Sequence, residues 1–261
     1  MEEKLIKNES IIQDMAIVYI VNEKPGFEFI YFDATKNIVE TKSVAIDPSQ
    51  IANGLPLHTM NLENLLSPYI PSNVKQATVL LDSSNIYKTT FVFPKVNFFK
   101  TMKLYANELK STQGDAKDKY KTIMQEYKGH SSNIFYTYFI PTNLNVFAIK
   151  LTRTLGLKLK GVDLYANWLL ANLKESVPGD VMYLYAHEDR YTLIASFGGV
   201  LSSYVTFDKD EKQIDANVYG YGMKHIYELE KVGVDCVYTN DEKATCNILE
   251  AKYMPIEIKG K

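Results

Sequence analysis

The sequence predicts an α/β protein with mixed sheets, built as two halves of similar plan. Three observations predict it. Apolar runs separated by turn residues come in two sets of three: Met15–Val21, Phe27–Asp33 and Ile38–Ala45, then Val181–Tyr185, Tyr191–Phe197 and Val200–Phe207. Between the sets, Asn133–Leu173 alternates strand, helix, strand and helix, with a breaker at each boundary. Ser176–Asp180, SVPGD, is the clearest linker signal in the chain.

Residues 1–14 read as a polar arm or short helix with a weak Leu5, Ile11, Ile12 pattern. The first meander turns at Asn22–Gly26 and at Ala34–Asn37, both of hairpin composition. Asp47–Pro71 reads as a loop holding a short helix around Leu62, Leu65 and Leu66, bounded by Pro68 and Pro71. Val74–Leu81 is a short buried strand. Asn85–Phe93 is another, ended by Pro94, which has no amide to donate. Phe98–Leu109 is an amphipathic helix with Phe98, Met102, Tyr105 and Leu109 on one face. Ser111–Lys119 is a polar loop, and Tyr120–Lys128 fits helix or strand.

Ile134–Ile140 favours extended backbone and Pro141 closes it. Thr142 or Asn143 caps a helix in which Leu144, Phe147, Ile149, Leu151 and Leu155 recur at helical spacing. Gly156 ends it by accepting left-handed backbone. Leu157–Asp163 is the next strand, and strand–helix–strand of this length implies a parallel right-handed crossover. Leu164–Leu173 is a second helix carrying the only tryptophan, Trp168, whose ring is expected where the halves meet. Beyond the second meander a strand, Ala216–Tyr219, leads through Gly220-Tyr221-Gly222 into a helix, Met223–Val232. A strand at Asp235–Tyr238, another helix and a strand near Pro255–Ile258 complete the chain.

At 261 residues the chain buries a proper core. A net charge of −2 leaves no footprint for nucleic acid or another polyanion. No apolar run is long enough to span a bilayer and the first residues lack a signal-peptide core, so the expected location is the cytoplasm, with membrane association through a partner or through a segment outside this sequence. Cys236 and Cys246 are expected as reduced thiols. His187-Glu188-Asp189 reads as a polar hairpin tip rather than an acid–base or metal cluster. His58, His130 and His225 have no Cys, Asp or Glu at ligand spacing. The serine pairs Ser83-Ser84, Ser131-Ser132 and Ser202-Ser203 lack the small-residue elbow that exposes a nucleophile. Gly220 and Gly222 lack the third glycine of a nucleotide fingerprint and read as a helix entry turn. No catalytic residue, cofactor ligand or metal ligand is therefore expected.

Two stretches carry a resemblance. Ala77–Phe93 (ATVLLDSSNIYKTTFVF) with Pro94, and Phe139–Leu173 (FIPTNLNVFAIKLTRTLGLKLKGVDLYANWLLANL), resemble the PilM branch of the actin-like proteins. These are cytoplasmic proteins of type IV pilus machines, and the GspL cytoplasmic domain of type II secretion is a close cousin. The likeness covers most of Met15–Phe207 in pattern. It implies an actin-like (ribonuclease H-like) two-lobed fold. The first lobe would span 1–163 with a small inserted subdomain at about 85–138, the interdomain helix and linker 164–179, and a shortened second lobe 180–261.

The resemblance further implies a cytoplasmic scaffold that joins a PilN-like inner-membrane protein to the assembly ATPase. Nucleotide-binding members carry a hairpin with Asp, Gly and small hydroxyl residues at the start of each lobe, gripping phosphate and metal. Here Asn22–Gly26 and Ala186–Arg190 lack that pattern, and Glu188 and Asp189 would repel a triphosphate. Asp208–Asn217 is too short for the helical insertion that roofs the nucleotide. The expected protein is thus not an enzyme and takes no cofactor. The alternatives are a divergent actin-fold ATPase or kinase that still binds ATP, and an α/β interaction domain with no secretion role.

The resemblance also implies a groove between the first lobe and the inserted subdomain that takes a short peptide from the membrane partner. Its parts would be Asn85–Phe93 and Phe98–Leu109. Phe98 and Phe99 point about 100° apart on a helix and cannot share one narrow core stripe. Either one ring serves a ligand beside Met102 and Tyr105, with Lys100 and Lys103 for acidic flanks, or both are buried in the subdomain.

Overall fold

The computed structural model describes residues 12–22, 24–57, 59–129, 132–173, 180–187, 189–223, 234 and 236–254. The expected arm at 1–11, most of the SVPGD linker, the helix at 224–232, the strand near 255–258, and His58, His130, Glu188 and His225 lie outside these residues. Two compact units divide the chain.

The first unit holds residues up to Asn85 together with Asn143–Asn172. Its sheet opens with the expected meander, β1 (Asp14–Val21), β2 (Gly26–Phe32) and β3 (Ile38–Ala45). Met15–Val21 and Gly26–Phe32 are buried throughout, which suits near-continuous apolar runs rather than alternating ones. At Gly26 the β3 backbone leaves no room for a side chain, since a Cβ there would lie 2.5 Å from the Val44 carbonyl oxygen. Then comes a hairpin absent from the sequence reading, β4 (Ile51–Ala52) and β5 (Leu55–Pro56). Asn53 and Gly54 turn it with φ of 51° and 74°, both in the left-handed region that a tight primed turn demands. Helix α1 (Thr59–Leu66) buries Leu62 and Leu66, one turn apart.

Strand β6 (Gln76–Ser83) lies parallel to β1, and β10 (Lys158–Leu164) parallel to β6, giving the order β10-β6-β1-β2-β3. Helix α3 (Thr142–Thr154) buries Leu144, Phe147, Ala148 and Leu151. It ends as the glycine predicts. Gly156 takes φ 68° while its amide bonds Arg153 and the Leu157 amide reaches back to Thr152. Helix α4 (Tyr165–Leu173) places the Trp168 ring 6.1 Å from Phe32 and 6.0 Å from Tyr165, both in this unit.

The second unit holds Ile86–Thr142 and the residues from Leu173 onward. The segment expected as an insertion in the first lobe groups here. It contains β7 (Tyr87–Pro94), α2 (Phe98–Gln113), β8 (Tyr120–Lys128) and β9 (Ser132–Pro141). Strand β9 is central and antiparallel to both neighbours. Tyr120–Lys128 is thus strand, decided by its pairing with β9, and the expected loop at Ser111–Lys119 is the end of α2 plus a 3-10 turn. The expected crossover fails here. Ile134–Ile140 and Leu157–Asp163 enter different sheets, because β9 pairs with β7 and β8 whereas β10 pairs with β6.

The second meander forms as expected, with β11 (Val181–Ala186), β12 (Arg190–Phe197) and β13 (Val200–Asp208). Strand β14 (Cys236–Thr239) runs parallel to β11, and β15 (Glu250–Tyr253) parallel to β14. Residues 241–249 form turns rather than the expected helix. Ala216–Tyr219 is not a strand. Helix α5 (Glu211–Asn217) runs into a π-helical turn, Val218–Met223, because Ile214 and Val218 bury on one helical face, and this turn absorbs Gly220-Tyr221-Gly222.

The three-stranded sheet joins this unit through specific contacts. The Tyr138 hydroxyl donates to the Leu201 carbonyl at 3.1 Å, and the Leu201 amide donates to Gln125 Oε1 at 2.8 Å. Tyr127 packs on Phe197 and against Gly198, where a Cβ would come within 3.1 Å of its ring. Trp168→Ala opens a cavity against Phe32 and Tyr165 and is expected to destabilise the protein by about 3–5 kcal/mol in urea unfolding. A loss below about 1 kcal/mol would show that the ring is not packed.

Candidate functional site

Three places hold the residues that the sequence singles out. The first is the end of the first sheet, where β1 turns into β2 and β6 leaves its strand. A phosphate needs amides that are free and turned outward. Here the Ser84 amide and hydroxyl both donate to the Val21 carbonyl, at 3.3 and 3.2 Å, and the Asn85 amide donates to Ser83 Oγ at 3.2 Å. Pro25 has no amide, and its carbonyl accepts from Ile46 at 2.9 Å. The Asn53-Gly54 hairpin sits against this end: Tyr19 donates its hydroxyl to the Gly54 carbonyl at 3.1 Å, and Asn85 occupies the space that a side chain on Gly54 would need.

The second place is the end of the second sheet, at the tip between β11 and β12. The His187 amide donates to the Arg190 carbonyl, and Asp189 pairs with Arg190 at 3.2 Å. His187 Nε2 shares a hydrogen bond with Thr192, which continues to Thr206, so the histidine belongs to a polar chain running across the sheet. The turn after β14 closes over this end. Asn240 exchanges two hydrogen bonds with the backbone of Ala186. Asp241 accepts from the Tyr191 hydroxyl at 2.8 Å and pairs with Lys209 at 3.1 Å, and the same ammonium lies over the Tyr191 ring. Burial works to raise the Asp241 carboxyl, but the Lys243 amide, the Tyr191 hydroxyl and Lys209 together hold it below the usual carboxylate range. Neither Asn240 nor Asp241 was singled out by sequence, because their role comes from strands distant in the chain. Among the described residues no cluster of His, Cys, Asp and Glu is arranged to hold a metal.

The third place is helix α2, and here the expected quartet divides. Tyr105 is only 5% exposed, stacks on Phe135 and shares a hydrogen bond with Thr137. Met102 and Leu109 pack against the same cluster of Phe93, Tyr105 and Phe135. Phe98 and Phe99 are instead 58% and 83% exposed, edge to face at 5.9 Å. Neither ring is buried in the subdomain: both stand outside the core, whereas Tyr105 is in it and Met102 packs against it. The reason is helical geometry: the stripe that faces β7 and β9 begins with Thr101, Met102 and Tyr105, one turn after the two phenylalanines. Sequence reading also passed over Lys88 on β7, whose ammonium burial lowers to about 8; it makes no hydrogen bond or ion pair with another described residue.

No protein-family model matches the sequence, nor does any curated protein. Solved structures do match in shape. The cytoplasmic domain of EpsL, an inner-membrane component of the type II secretion system of Vibrio cholerae, aligns over 92% of this chain and 88% of its own, with a TM-score of 0.59 at 12% identity. A chain of the PilM–PilN type IV pilus biogenesis complex aligns over 95% of this chain and 90% of its own, with a TM-score of 0.60 at 8% identity. The fold is actin-like. It is the α/β, mixed-sheet fold that the resemblance implies, and it is shared with these solved structures from pilus assembly and type II secretion.

The division of α2 has a measurable consequence. Tyr105→Ala is expected to destabilise the protein by about 3–5 kcal/mol, whereas Phe99→Ala changes stability by less than about 0.5 kcal/mol. Equal losses in denaturant titrations of the two variants would contradict the assignment of one ring to the core and the other to the surface.

Proposed function

We propose that this chain is a non-catalytic cytoplasmic scaffold of a type IV pilus or type II secretion-like machine, linking an inner-membrane partner to the assembly ATPase. The observation that carries the reading is the match of nearly the whole chain, in both directions, to a chain from the PilM–PilN complex and to the cytoplasmic domain of EpsL. The closure of both sheet ends supports the non-catalytic part. A triphosphate placed at either end would meet a carbonyl or a carboxylate that already has its hydrogen bonds, at Val21 and Asp241. No helix among the described residues is long and apolar enough to cross a membrane; attachment to the inner membrane through a partner of PilN type is part of the proposal. The second reading, a divergent actin-fold ATPase or kinase, draws on the fold alone.

One experiment separates them. The tagged full chain is melted with and without millimolar Mg-ATP, then used to capture proteins from detergent-solubilised membranes of its own source. The scaffold reading expects an unchanged melting temperature and capture of a single-span inner-membrane protein together with an assembly ATPase. A rise of several degrees with Mg-ATP, which binding to the native state must produce, would support the enzyme instead.

A further inference from the structure

The surface where α2 begins is unlike the rest of the small subdomain. Phe98 and Phe99 protrude there side by side, with the exposed Val96 just before them. Along this stretch of the chain the charge is all of one sign: no Asp or Glu occurs between Asp82 and Glu108, while Lys95, Lys100 and Lys103 do, and Glu126 lies two residues before Lys128 on β8. Lys100 and Lys103 are exposed on the first turns of α2, and Lys103 shares a face with Phe99 four residues earlier. Lys95 reaches the Gly129 carbonyl at 3.2 Å, which brings the end of β8 and its exposed Lys128 to the same side of the subdomain.

This arrangement works against the helix. Asn97 caps α2 by accepting from the Lys100 amide at 3.0 Å, and the third position after such a cap is where glutamate would complete the cap and suit the helix dipole. The chain places a lysine there, and the first turn contains no acid. Two bare aromatic rings likewise gain nothing for the fold by facing water. Both features serve something outside the molecule that is apolar and anionic together. The rings protrude from the start of a helix, and Tyr105, two turns on, is in the core with Met102 packed against it rather than beside the rings at the surface. A peptide anchor needs a concavity to bury it. A bilayer surface needs protruding rings with a collar of lysines.

We infer that the start of α2 is a lipid-contacting patch, in which Phe98 and Phe99 enter the headgroup region of an anionic bilayer while Lys95, Lys100, Lys103 and Lys128 pair with lipid phosphates. This goes beyond the scaffold reading, which needs only a protein partner. The patch gives the protein a weak, salt-sensitive grip on the membrane face at which it works.

The test is sedimentation of the full chain with vesicles that contain no protein. Binding is expected to vesicles in which phosphatidylglycerol replaces part of the phosphatidylcholine, not to phosphatidylcholine alone, and it falls as salt rises. Phe98→Ser with Phe99→Ser, and separately Lys100→Glu with Lys103→Glu, are expected to weaken partitioning roughly tenfold or more while leaving the melting temperature near that of the parent. Absence of sedimentation with the anionic vesicles would overturn the inference. So would sedimentation that survives the double phenylalanine change, or a double variant that keeps its vesicle binding and loses only a membrane-protein partner. Because the vesicles carry no partner, a negative result here leaves the scaffold reading standing, and a negative capture experiment leaves this patch standing.

Discussion

Four long-range ties of this fold are hydrogen bonds from tyrosine hydroxyls to backbone carbonyls. Tyr19 holds Gly54, Tyr31 holds Tyr69, Tyr138 holds Leu201 and Tyr183 holds Met254. Each ring fills core volume on a strand while its tip satisfies a carbonyl in a segment far along the chain. This gives four of the 19 tyrosines a structural role. Burial raises the hydroxyl pKa of all four, most firmly for Tyr138. Since the folded values lie above the unfolded one, the stability they supply is present below about pH 10 and is lost in stronger base.

The same chemistry decides what the sheet ends can do. At the first, Tyr19 fastens the Asn53-Gly54 hairpin against Asn85, and Ser84 takes up the Val21 carbonyl. At the second, Tyr191 and Lys209 converge on Asp241 while Asn240 ties down Ala186. An actin-like scaffold that leaves free amides at these ends would offer an anion site. Here the polar groups named are bonded within the protein, and the proposed loss of nucleotide chemistry follows from that closure rather than from a missing fold.

Local signals in the sequence foretold the local structure. The two meanders turn at Asn22–Gly26, at Ala34–Asn37 and at Gly198-Gly199, and Gly156 ends its helix, because each depends on residues next to one another. The Asn53-Gly54 turn went unread because its strands are two residues long, too short to show alternation. The parallel crossover was misjudged because strand partners are a non-local choice: β9 has the composition of a central strand but not an address. At α2 the angular separation of Phe98 and Phe99 was legible, and so was the apolar stripe. The assignment of Tyr105 to Phe135 and Thr137 was not, since both lie on β9, about thirty residues later.

Hydrogen–deuterium exchange bears most directly on the claim that both sheet ends are closed. Peptides covering Tyr19–Gly26, Leu80–Asn85, Ala186–Thr192 and Phe207–Asp210 would be followed with and without millimolar Mg-ATP. The account predicts slow exchange at the Ser84, Asn85, His187 and Lys209 amides in the free protein, and no change when nucleotide is added. Fast exchange at those amides in the free protein, slowed by Mg-ATP, would contradict it.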